Sequence, residues 1–120
     1  MTQEEKDLLF KDLCARLPYG VKCYKSTYRT DLPEEIVCVV NNSNHNCVQL
    51  GTYLYKLEHI KPYLFPMSSM TGEQEREYLD TCCTYYWTDE TFDWFNKNHF
   101  DYRHLIEKGL ALDATGLNIY

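Results

Sequence analysis

The chain has 120 residues, one domain's worth, and is 44% hydrophobic and 25% charged, an ordinary globular composition. Its net charge of −6 disfavours non-specific binding to nucleic acid or to an anionic membrane, because each requires a basic field. A basic protein surface suits it better, and the mixing of the acids with Lys and Arg argues against a DNA mimic.

The first 20 residues read as a helix. Thr2 and Glu5 fit a capping box, Leu9, Leu13 and Leu17 recur every fourth residue, and Pro18-Tyr19-Gly20 stops the run. Phe10 and Cys14 widen the apolar stripe, while Asp7, Lys11 and Asp12 fall mostly outside it. This acidic opening lacks the apolar stretch of a secretory signal, and no apolar run approaches the roughly 20 residues that span a bilayer. A cytoplasmic protein with reduced thiols and no membrane partner is expected. Of its six cysteines, Cys14, Cys23, Cys38 and Cys47 stand where small buried hydrophobes are expected.

Residues 21–60 read as an antiparallel meander of three or four strands. Val21 to Tyr28 is rich in Tyr, Val and Thr, and a turn follows around Asp31 and Pro33. The β-branched run Ile36-Val37-Cys38-Val39-Val40 is the best central strand. Residues 41–46, Asn-Asn-Ser-Asn-His-Asn, form a hairpin tip of side chains that tolerate turns. Residues 47–57 then make one bent strand or two, broken at Gly51.

Residues 61–120 read as a helical part. Lys61 to Pro66 leaves the sheet extended, since residues before proline avoid the helical region. A capping box at Thr71 and Gln74 opens a second helix that reaches about Cys83, and Thr88 caps a third with Asp89 and Glu90 in its first turn. Phe92, Phe95 and His99 share a face of it. Asp101 caps a fourth helix carrying Tyr102, Leu105 and Ile106, which ends at Gly109. The fold class is therefore α+β, one domain with a small sheet, an N-terminal helix and a C-terminal helical subdomain.

Motifs for chemistry are sparse. There is no C-x-x-C, H-E-x-x-H, P-loop or G-x-G-x-x-G. Adjacent Cys82 and Cys83 would point about 100° apart on a helix, which suits joint chelation poorly. No cofactor, metal or catalytic residue is assigned. The residue types enriched at binding hot spots gather instead between Trp94 and His104: Trp94, Asn98, His99, Asp101, Tyr102, Arg103 and His104. A packed corner explains much of that cluster, with Asp101 as a cap, Tyr102 as an anchor and Arg103 paired to Glu107 one turn on.

The segments Lys61 to Thr71, Asp93 to Asn96 and Asp101 to Ala111, with the opening Leu13 to Val21, resemble a group of short uncharacterised proteins encoded by gut Bacteroidales, their phages and mobile elements. Those proteins commonly carry Gly after the Asp-Tyr-Arg triplet, where this chain has His104. The resemblance implies a constant frame around a distinctive β insert and brings no activity or cofactor with it. The function expected is a non-enzymatic protein-interaction module, an accessory or inhibitor protein acting on a host protein. Its candidate contacts are the tip residues Asn42, Asn44 and His45 and the corner residues Trp94, Tyr102, Arg103 and His104. A small-ligand (nucleotide-like) binder that stacks its ligand on Tyr and Trp is the alternative, and a Cys/His metal protein or enzyme the third reading.

Overall fold

The chain opens with a closed capping box: the Thr2 hydroxyl accepts the Glu5 amide at 3.1 Å, and the Glu5 carboxylate accepts the Thr2 amide at 2.8 Å. This starts helix α1 (Gln3–Arg16). A short 3-10 turn, Leu17–Tyr19, follows, and Gly20 then reverses the chain at φ +69°. A Cβ on Gly20 would collide with the Glu35 carboxylate, so this reversal is reserved for glycine. The computed structural model describes residues 1–26, 32–41, 46–84 and 86–120.

Six strands follow the α1 turn: β1 (Lys22–Lys25), β2 (Glu34–Asn41), β3 (Asn46–Leu50), β4 (Tyr53–Lys56), β5 (Ile60–Leu64) and β6 (Leu112–Asp113). They form one sheet in the order β4-β3-β2-β1-β5-β6. All neighbours are antiparallel except β5 and β6, which run parallel. The expected sheet of three or four antiparallel strands is thus too small. The extra strands are β5, which falls on Lys61-Pro62, and β6, far along the chain. Pro62 is tolerated because it faces Cys23 of β1 on one side, while β6 begins only opposite Tyr63. The break at Gly51 proves to be a tight turn between two antiparallel strands, with Leu50 opposite Tyr53.

Strand β2 is interior, as its β-branched run requires, and carries an irregularity between Ile36 and Cys38. Cys38, Gln49 and Leu54 align across β2, β3 and β4, as do Val39, Val48 and Tyr55 on the other face. The second row enters the core with Leu9 and Leu13 of α1, whereas Leu54 stays exposed. The same alternation corrects the cysteine assignment: Cys23 is buried, Cys38 and Cys47 are half-buried on the open face, and Cys14 is exposed.

Helices α2 (Gly72–Thr81) and α3 (Asp89–Lys97) begin at Thr71 and Thr88. The fourth helix is absent. Residues 101–109 form successive turns, because His104 takes a left-handed φ of 59° and Gly109 one of 73°. The Asp101 carboxylate still acts as a cap, accepting the Leu105 and Ile106 amides at 2.8 and 2.9 Å. His99 is not on the face of α3, since that helix ends at Lys97 and His99 itself has φ 63°. Leu105, Leu110 and Ala111 return to the sheet core, and a second, aromatic cluster forms around Phe95, Phe100 and Tyr102. Among the described residues no helix is long and apolar enough to cross a membrane.

Candidate functional site

The corner expected to make contacts is an internal joint. Tyr102 is buried, stacks on Phe95 at 5.3 Å, and donates its hydroxyl to Asn96 Oδ1 at 2.9 Å. Trp94 is half-buried and stacks on Phe100 at 5.4 Å and 9°. Arg103 does not pair with Glu107. Its Nη1 donates to Asp12 Oδ1 at 2.7 Å, leaving the side chain only 17% exposed. Asp12, expected outside the apolar stripe of α1, is fully buried because two cations meet it there: Arg103 and Arg16, whose Nε donates to Asp12 Oδ2 at 2.8 Å. Arg16 also donates from Nη2 to the Phe100 carbonyl at 2.6 Å, fastening α1 to the end of the α3 turn. Of the expected corner residues only His104 is exposed. It borders a 250 Å³ groove shared with Met67, Asp101 and Glu107. Asn42, Asn44 and His45 lie outside the described residues.

A second polar centre surrounds His99. Its imidazole stacks on the Tyr120 ring at 3.7 Å and 16°. The Tyr120 hydroxyl accepts the Lys22 amide and donates to the Tyr63 carbonyl, both at 2.8 Å. Burial, then the charges of Arg16 and Lys22, pushes His99 down to about 4, so the ring is neutral near pH 7. Burial likewise raises Tyr120 above the ordinary tyrosine range. His99 Nδ1 and Arg16 Nη1 are buried without a hydrogen-bond partner. The Tyr120 ring thus covers one face of a histidine that is itself buried.

An open site lies between α2 and α3. A cleft of about 440 Å³ is lined by Tyr78, Leu79, Cys82, Cys83, Thr84, Tyr86 and Trp87. The link that builds it is fixed from below: the Thr88 and Thr91 hydroxyls both donate to the Thr81 carbonyl, at 2.9 and 3.0 Å. Trp87 is anchored by its Nε1 donating to the Tyr78 hydroxyl at 2.8 Å and by edge contact with Phe95 at 4.8 Å. Four large apolar side chains remain open to solvent around it: Leu79 at 56%, Tyr86 at 66%, Trp87 at 38% and Phe92 at 37%. The expected second helix, from Thr71 to about Cys83, takes in Leu79 and leaves Tyr86-Trp87 as the link to Thr88. The signal that could have found the cleft is a pair of large aromatics in a short link between two helices, with no third helix face to receive them. Cys82 and Cys83 line the same cleft. Among the described residues no three His, Cys, Asp or Glu side chains are placed to hold a metal ion.

In comparison with known proteins, the chain matches no family model, no curated protein and no solved structure.

Proposed function

We propose that this protein is a non-enzymatic protein-interaction module whose principal contact surface is the α2–α3 cleft. The observation that carries the reading is the exposure of Leu79, Tyr86, Trp87 and Phe92 around one cleft on a fixed frame. Grouped apolar side chains left in water mark interaction sites more often than scattered ones do, and Trp and Tyr are the side chains on which binding energy concentrates. The resemblance to short phage and mobile-element proteins supports an accessory or inhibitor role towards a host protein. Six free thiols, two of them at the cleft, support a reducing, cytoplasmic setting. The tip residues Asn42, Asn44 and His45 are a second contact element in this reading.

The test is a photo-crosslinking side chain placed at Tyr86 in producing cells, with a matching probe at Glu4 on α1 as control. One discrete adduct from Tyr86, absent from Glu4 and lost with Trp87→Ser, is the expected result. No adduct, or one that Trp87→Ser leaves unchanged, overturns the reading.

A second reading shares the cleft. Its volume falls within the roughly 300–1,000 Å³ of small-molecule sites, and Tyr78 and Trp87 offer rings for a planar ligand. Native mass spectrometry showing a stoichiometric small molecule, lost with Trp87→Ser, would favour it.

A further inference from the structure

Charge is concentrated around the cleft. Residues 72–97 hold seven acids and two bases, a net −5, so the remainder of the chain sums to only −1. All seven (Glu73, Glu75, Glu77, Asp80, Asp89, Glu90 and Asp93) are exposed, and none forms an ion pair with a described residue. Acids mixed evenly with bases describe the rest of the chain and not this unit.

Helix spacing places several of these acids at the cleft rim. Glu75 lies three and four residues before Tyr78 and Leu79, hence on their face of α2, and Asp89 lies three before Phe92 on α3. Acids in the first turns complement the helix dipoles, which accounts for Glu73, Glu75, Asp89 and Glu90. It does not account for Asp80, which stands in the last turn of α2, where the dipole disfavours it; Arg76, one turn earlier on the same face, forms no ion pair with it. The other helices end in a base, α1 with Arg16 and α3 with Lys97. Glu73 with Glu77, and Asp89 with Asp93, are like-charged pairs four apart that repel. The fold thus carries a cleft edged by exposed apolar side chains beside a net negative surface whose acids form no ion pair with a described residue.

Resting on the interaction reading above, we propose that the partner segment is basic and carries a bulky apolar side chain. That side chain fills the cleft against Leu79, Tyr86 and Trp87, while flanking Lys or Arg residues meet Glu75 and Asp89. Opposite charge at the rim speeds and selects the encounter, and the desolvated apolar anchor holds it.

A random peptide library, each member about a dozen residues long, selected on the full-length protein separates this proposal from the reading beneath it. Selection of peptides that combine excess Lys and Arg with a large apolar residue is the expected result. Their affinity should fall with added salt, drop at least about tenfold with Glu75→Lys plus Asp89→Lys, and vanish with Trp87→Ser. Circular dichroism establishes that each variant is folded. If the selected peptides are neutral or acidic yet lost with Trp87→Ser, the basic partner is overturned and the interaction surface stands. If no peptide is enriched over a bare support, or Trp87→Ser changes nothing, both are overturned.

Discussion

At the scale of single residues, the sequence concealed the most consequential charge. Asp12 lies next to the apolar stripe of α1, and nothing local announces that Arg16 and Arg103 will meet it; the second partner is 91 residues away. A fully buried carboxylate that holds two guanidiniums cannot be removed without leaving them uncompensated. Asp12→Ala should therefore cost about 3–5 kcal/mol in urea unfolding. Arg103→Ala should cost less, because Arg103 is partly exposed and Arg16 still neutralises Asp12. Equal losses would mean that Arg103 alone sustains the joint. His99 gives a second expectation. Its pKa of about 4 in the folded chain lies below the ordinary 6.5. Between those values the unfolded chain binds more protons, so stability rises with pH through that window and is lost as pH falls from 6.5 towards 4. The full loss is about 3 kcal/mol. Unfolding midpoints compared near neutral pH and near pH 4.5 should converge for His99→Gln relative to the native chain. An undiminished acid loss in that variant would assign the effect to carboxylates.

At the scale of elements, starts were legible and irregular ends were not. Thr2, Thr71 and Thr88 each close a capping box in the structure, because a cap is satisfied within four residues and is complete in the local sequence. The two-residue β6 leaves no period to read, and the turns of residues 101–109 depend on His104 adopting a left-handed φ that a histidine seldom takes. The packing of the corner was hidden for the same reason: Trp94, Tyr102 and Arg103 have hot-spot composition, yet tertiary contacts withdraw Tyr102 and Arg103 from the surface and pin Trp94 by stacking. Thr88 tests whether the α2–α3 link is held as described. Its hydroxyl accepts the Thr91 amide at 3.3 Å and donates to the Thr81 carbonyl, so it serves one helix start and the preceding helix end together. Thr88→Ala should cost about 1–2 kcal/mol and speed amide exchange on both sides of the link. A loss confined to α3 would show that the bond to Thr81 contributes nothing.

At the scale of the whole molecule, the proposed recognition and the stability of the fold would draw on the same charges. Nearly all of the net charge sits on residues 72–97, a third of which are charged, and none of their acids forms an ion pair with a described residue. Such a distribution stores repulsion in the free protein that a cationic partner would relieve. Glu77→Lys with Asp80→Asn removes a repulsive pair with Glu73 and the acid at the end of α2 where the dipole disfavours it. The double variant should be more stable than the native chain by roughly 0.3–1 kcal/mol per site at low salt. Added salt should raise the unfolding midpoint of the native chain and leave that of the variant nearly flat, because screening does for the first what substitution has done for the second. The same variant should bind the selected basic peptides more weakly, a gain in stability accompanied by a loss in recognition. If both changes leave stability and its salt dependence unaltered, the acids of α2 are solvated independently, and the rim exerts no collective field on the cleft.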